Sequence, residues 1–150
     1  MTDDIDKKIL NLLQVNAKLT IKDLAENLDM TTTPIFERIK RMEREGVIRG
    51  YVALLDPEKV ARGQTVFINI NMPVYTAENI SEFESQIKLM PQVLECYHLA
   101  GQIDYQLKVV VENIKEYDVF LREISKIKNV NVHSSVIVLH EVKQQTALPL

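Results

Sequence analysis

Three consecutive hydroxyl residues, Thr31, Thr32 and Thr33, stand ahead of a run of cations at Arg38, Lys40, Arg41, Arg44 and Arg49. Thr side chains accept hydrogen bonds from the free N–H groups of a helix's first turn. Pro34 fits that turn, where its missing N–H is not needed. Ile35, Ile39 and Met42 recur at i, i+4 and i+7 and form one apolar stripe. At about 100° per residue, Thr33, Glu37, Lys40, Arg41 and Arg44 fall on the opposite face. Gly46 ends the helix as a glycine beyond a C-cap does. Pro34 disfavours helical angles at the residue before it, so the residues leave Thr33 and Thr31 both open as the N-cap. Such a face, set on a helix in a larger array, suits phosphate contact by the cations and contact with base edges by Thr32, Thr33 and Glu37. The plainer reading is a solvated amphipathic helix.

Other reactive residue types are sparse. No phosphate loop, GxSxG or HExxH occurs, so no catalytic constellation is expected. Cys96 is the only cysteine and shares a strand face with His98, a pair that raises metal binding. His133 and His140 lie far along the chain, and no metal site is expected. Gly101 and Asp104 read as turn formers, Gly through positive φ and Asp through bonds to local backbone.

The elements that must position these residues follow from caps and periodicity. Asp3 or Thr2 caps a first helix with Ile5, Ile9, Leu12 and Leu13 inward. Thr20 opens a second, with Asp23 as its capping-box acid and Ile21, Leu24, Ala25 and Leu28 inward. Asp29-Met30 turns into the third, which completes a helix-turn-helix. Val47–Leu55 reads as an extended ribbon, and Asp56-Pro57 as a turn. Strands at Thr65–Met72, Val93–Leu99, Tyr105–Val111 and Val130–Val142 alternate with helices capped by Thr76 and lined by Tyr117, Phe120, Leu121 and Ile124. The order β-α-β-β-α-β predicts an α+β protein whose second half is a ferredoxin-like sheet with both helices on one face. The division is 1–55 for the helix-turn-helix and ribbon, 56–64 for a linker, and 65–150 for the sheet domain. The last strand is apolar on both sides through Val136–Leu139, so the helix-free face is expected to be covered by a second copy, giving a homodimer.

The composition is that of an ordinary globular protein. No apolar run nears the ~18 residues of a membrane span. The acidic start and single cysteine fit a cytoplasmic protein. The net charge of −3 comes from residues 51–150, since residues 1–50 balance. Glu37–Arg49 carries a local +2, small enough that one copy would bind DNA weakly and several would be needed.

The run Met30–Tyr51, with Pro34, Arg38, Glu43, Gly46, Ile48, Gly50 and Tyr51, resembles the Lrp/AsnC (feast/famine) family of transcriptional regulators, and the resemblance extends over nearly the whole chain. It implies a winged-helix-like helix-turn-helix that binds double-stranded DNA through Thr31, Thr32, Thr33, Glu37, Arg38, Lys40, Arg41 and Arg44, with Thr31 as N-cap. It implies a small amino acid as effector and no cofactor. The family's Gly-x-x-Asp turn carries Gly101, Gln102 and Asp104 to an effector pocket between dimers, with Ala100 beside them and His133 and Ser135 from the last strand. Asp104 would accept from the ligand's ammonium group, and backbone N–H groups with Ser135 or His133 would serve its carboxylate. Ala100 stands where relatives commonly have a hydroxyl, and His133 where Thr is usual. The resemblance also implies dimers that assemble further, to an octamer. An enzyme would need a polar catalytic cluster, which the sequence lacks. A metabolite-binding or assembly protein with no DNA role requires the Lys40–Arg44 face to be incidental.

Overall fold

The computed structural model describes residues 2–150, and the chain divides into two compact units. One comprises Met1–Leu54 with Val142–Leu150, the other Leu55–Glu141. No helix among the described residues is long and apolar enough to cross a membrane.

The first unit holds three helices, α1 (Asp4–Val15), α2 (Ile21–Asn27) and α3 (Thr32–Arg44). Both early caps form as reciprocal boxes. The Asp6 N–H donates to Asp3 Oδ1 at 2.8 Å and the Asp3 N–H to Asp6 Oδ2 at 3.0 Å. Thr20 and Asp23 do the same for α2 at 2.8 and 3.1 Å. Asp29, at φ 51°, makes the tight turn between α2 and α3 in left-handed backbone that Asp tolerates. Ile9, Leu24, Ala25, Ile35, Ile39 and Met42 form the core, each at most 4 % exposed. In the tail, the Leu148 N–H donates to Gln14 Oε1 at 2.6 Å, and Gln14 Nε2 donates to the Leu148 carbonyl at 3.1 Å.

The second unit is a four-stranded antiparallel sheet, β1 (Gln64–Asn71), β2 (Val93–His98), β3 (Tyr105–Val111) and β4 (Asn131–Ile137), with α4 (Ala77–Ile87) and α5 (Ile114–Ile124). The strand order β2-β3-β1-β4 is the split arrangement expected from the element order. Val66, Ile68 and Ile70 of β1 and Tyr105, Leu107, Val109 and Val111 of β3 are buried. They share one core with Phe83, Ile87, Tyr117, Phe120 and Ile124 of the helices. Alternation of period two turns that set to the helices and leaves the other set outward.

Three expectations change. The ribbon Val47–Leu55 forms no strand, and Tyr51, Val52, Leu54 and Leu55 are exposed; a ribbon needs a neighbour to hydrogen-bond, and three helices offer no edge. The last strand stops at Ile137, not Val142, because its partner β1 begins at Gln64 and the ladder closes with the Val138 N–H on the Thr65 carbonyl at 2.9 Å. The open sheet face is not uniformly apolar. Phe67, Val110 and Val136 lie there beside polar ladders. Gln106 Nε2 donates to Asn69 Oδ1 at 3.1 Å, and Asn69 Nδ2 to Ser134 Oγ at 2.9 Å. Lys108 pairs with Glu95 at 3.3 Å, and Glu95 accepts from Tyr97 Oη at 2.5 Å.

Tyr105 gives this unit an alkaline limit. Burial first, then a 3.0 Å hydrogen bond to Glu84, raise its phenol far above the ordinary 10.0. A group whose folded pKa is raised contributes stability that is complete below its unfolded pKa and lost as pH rises past it. Denaturant melts from pH about 8 to about 11 are expected to show that loss above pH about 10 in the wild type. They should show less of it in Tyr105→Phe; equal loss in both would remove Tyr105 as the cause.

Candidate functional site

The third helix carries the first candidate surface. Its N-cap is Thr31, whose side chain makes no cap bond. Thr33 is therefore helical despite the following proline, and Pro34 sits in the first turn, where no N–H is required. Gly46, at φ 73°, takes the left-handed position that ends the helix and donates its N–H to the Glu43 carbonyl at 3.1 Å. Ile35, Ile39 and Met42 anchor the inner face, while Thr31, Thr32, Thr33, Glu37, Lys40 and Arg44 are exposed. Pro34, Phe36, Glu37, Arg38, Lys40, Arg41 and Arg44 line one open hollow along that surface.

The cations differ in their engagement. Lys40 bonds Glu43 at 2.7 Å, and that bond is the main reason the Glu43 carboxyl lies below its usual range. Tyr51 Oη adds a 3.1 Å bond to the same carboxylate. Arg44 has no ion pair among the described residues. Arg38 and Arg41 turn toward α1: Arg38 Nη1 donates to Asp3 Oδ2 at 2.6 Å and Asp6 Oδ1 at 2.8 Å, and Arg41 Nη2 to Asp6 Oδ2 at 2.5 Å. Asp3 and Asp6 hold the Arg38 guanidinium above its ordinary pKa. Asp6 belongs to this constellation, and no motif in the sequence singled it out. Phe36 was also missed, although it is 49 % exposed with Lys40 Nζ 5.8 Å from its ring centre.

The second candidate is the β2–β3 turn. Ala100, Gly101 and Gln102 are exposed and Asp104 is half-buried. The Asp104 N–H donates to the Ile70 carbonyl at 3.0 Å and its carbonyl accepts from the Leu99 N–H at 2.8 Å. Asp104 Oδ2 accepts from the Met72 N–H at 2.7 Å. This residue thus ties the turn to the end of β1 and has its second oxygen left over. Gly101 does not use positive φ, contrary to the turn role expected of it, and a Cβ there would meet nothing within 4 Å.

In β4, Val132 pairs with Ile70 and Ser134 with Asn69, so His133 is the extra residue at a β-bulge. Ser135 pairs with Ile68, further from the sheet end that carries the turn. The structure therefore puts Asp104 and His133 at one end of the sheet, on either side of β1, with Ser135 deeper along the edge strand.

Cys96 and His98 do share a face, but they do different things. The His98 ring stacks on Tyr105 at 4.6 Å and its Nε2 lies 2.5 Å from Tyr75 Oη. Burial pushes the Cys96 thiol up, which disfavours the reactive thiolate. Among the described residues no group of three or more His, Cys, Asp or Glu could hold a metal ion.

Both halves match known families. Residues 2–49 match a winged helix-turn-helix DNA-binding family and residues 65–148 the Lrp/AsnC ligand binding domain. The chain is 37% identical over 151 residues to the DNA-binding transcriptional activator DecR of Escherichia coli, spanning 100% of this chain and 99% of the relative. An AsnC family transcriptional regulator from Agrobacterium tumefaciens superposes with a TM-score of 0.91 at 40% identity, covering 99% of this chain and 97% of that one. A Neisseria meningitidis transcriptional regulator in complex with L-Met superposes at 0.94 with 32% identity and the same two coverages.

Proposed function

The chain belongs to the Lrp/AsnC family of transcriptional regulators, which are not enzymes, and we propose that it is a DNA-binding regulator whose assembly and DNA affinity respond to a small amino acid. The observation that carries this reading is α3 itself. One face is locked into the core by Ile35, Ile39 and Met42, and the other presents Thr31, Thr32, Thr33, Glu37, Lys40 and Arg44 to solvent. A helix so anchored enters a major groove with its N-terminal residues on base edges and its cations on phosphates. Arg44 and Lys40 supply phosphate contacts, with Arg41 at the margin, and Arg38 serves mainly to hold α3 against α1. DNA binding sets the protein in the cytoplasm, where the free Cys96 stays reduced.

Residues 1–55 then form the DNA-binding domain, 56–64 the linker, and 65–141 the domain for effector binding and oligomerisation; the tail from Val142, expected with the second domain, groups with the first. The effector site is the turn Ala100, Gly101, Gln102 and Asp104, joined by His133 and Ser135. The L-Met complex of the Neisseria relative supports an amino acid as its occupant. Asp104 Oδ1 faces the ammonium group, since Oδ2 is used by Met72. The open sheet face pairs with a second copy, and dimers assemble further, to the octamer that the family resemblance implies. A ligand at a seam between dimers binds one assembly better than another and so shifts the balance.

A mobility-shift assay on the promoter beside the protein's own gene tests the DNA role; absence of any shift at low salt refutes it. Within it, Arg44→Ala is expected to weaken binding to all sequences alike and reduce the salt slope by about one unit. An unchanged slope would remove Arg44 from the phosphate contacts.

A further inference from the structure

Asp6 is the one charged side chain fully buried among the described residues, at 0% exposure. It lies outside α3, yet both of its oxygens end on α3 guanidinium groups, Oδ1 on Arg38 and Oδ2 on Arg41. Asp3 adds a second carboxylate to Arg38 at 2.6 Å. Two carboxylates and two guanidinium groups thus form one cluster with no net charge. Burying such a cluster is no efficient route to stability, because well-packed apolar residues of similar volume often do as well or better. Arg38 is 23% exposed and Arg41 38%, so the cluster reaches the surface at the edge of the polar face of α3. A guanidinium has five N–H donors in a fixed fork. Asp6 occupies part of the Arg41 fork and fixes the direction in which the rest points.

We infer that Asp6 is a positioning residue for DNA recognition: acting through Arg38 and Arg41, it aims Arg41 and withholds their charge from indiscriminate phosphate contact. This rests on α3 being the DNA-contacting helix. Free arginines on a helix grip any phosphate backbone, which raises affinity for all DNA at the expense of the preference for one sequence. A cluster neutralised from α1 lets Arg41 engage only where the docking geometry matches.

The test uses the full-length protein and two duplexes of equal length, one selected by the wild type from a randomised pool and one of scrambled sequence. Binding is followed by fluorescence anisotropy across a salt series. Asp6→Asn keeps size and one acceptor oxygen while removing the charge. It is expected to tighten binding to the scrambled duplex and to steepen the salt slope by about one unit. The preference for the selected duplex should fall about tenfold, the size of one good base contact. A purely structural role would weaken both complexes and leave the slope alone. In an Arg41→Ala background the Asp6→Asn change in slope should shrink to the smaller part that runs through Arg38, as coupling through a shared partner requires. Asp3→Asn, which keeps a good N-cap residue and releases Arg38 at the exposed edge of the cluster, should move slope and preference in the same direction by less, and it decides the matter if Asp6→Asn does not fold. Unchanged slope and preference in a folded Asp6→Asn protein overturn the inference, as does an effect that persists undiminished without Arg41. Failure of the wild type to bind either duplex refutes the reading of α3 instead.

Discussion

A Val136→Asp variant is expected to sediment as a monomer at concentrations where the wild type is a dimer. Val136 lies on the open face of the sheet opposite Phe67 and is 57% exposed. Phe67 and Val110 continue the apolar part of that face. The polar residues around them already have partners: Gln106 with Asn69, Asn69 with Ser134, Lys108 and Tyr97 with Glu95. Polar groups that are hydrogen-bonded within their own sheet can be covered by another surface without being left unsatisfied. The face therefore combines an apolar centre with a pre-paired surround, which suits burial against its own copy. An aspartate at Val136 would be buried without a partner, and an uncompensated buried charge costs about 3–5 kcal/mol, a hundredfold or more in dissociation constant. Ile137 is a less informative site, because it pairs with Val66 on the helix side of the sheet. Sedimentation velocity at micromolar protein checks this. A wild type that is monomeric, or a Val136→Asp protein that dimerises like it, would sink the proposal that this face is the dimer interface.

Asp104→Asn is expected to abolish the response to the amino acid while leaving the fold intact. On the proposed reading the carboxylate has two tasks. Oδ2 holds the Met72 N–H at 2.7 Å, and Oδ1 is left for a cation. Asparagine keeps an oxygen for Met72 and loses the charge, so the substitution separates the two tasks where alanine would remove both. Removing one partner of a desolvated, hydrogen-bonded charge pair costs about 2–5 kcal/mol. That is enough to take a micromolar ligand out of range. A thermal-shift screen of the wild type against the twenty amino acids identifies the ligand, and calorimetry compares the two proteins with it. Equal affinity in Asp104→Asn would return Asp104 to a purely structural tie between the turn and β1.

The helices were readable because their signals are local. Asp3 and Thr20 each precede an acid by three residues, and both boxes form. The stripe Ile35, Ile39, Met42 fixed which side of α3 is buried, and hence which is free. What escaped depends on neighbours distant in sequence. Asp6 reads as one more acid in a first turn; only the packing of α1 against α3 brings it to Arg38 and Arg41 and buries it. An acid one residue from Ile5 and three from Ile9 was a signal that it borders the apolar stripe. The length of β4 was equally hidden, because it is set by where β1 begins and not by the apolar run that continues to Leu139. The polar ladders of the open face required the register between four strands, which no single strand carries. Gly101 misled for a different reason: a glycine in a turn suggests positive φ, and here the backbone does not use it.

The strand order also bears on how the protein is made. β1 lies inside the sheet, paired on one side with β3 and on the other with β4, and both of these come later in the chain. As the polypeptide leaves the ribosome, α1, α2 and α3 can assemble at once, since the residues of their core all precede Glu43. β1 can pair with β3 once Tyr105–Val111 has been made, but its other edge must wait until Asn131–Ile137 has been synthesised. At ~5–20 residues per second, that leaves one edge of this inner strand unpaired for seconds. The newborn chain therefore carries an assembled three-helix core and an open strand edge together. Crowded polysomes, rather than the completed protein, are where this sequence is most exposed to pairing with the wrong neighbour.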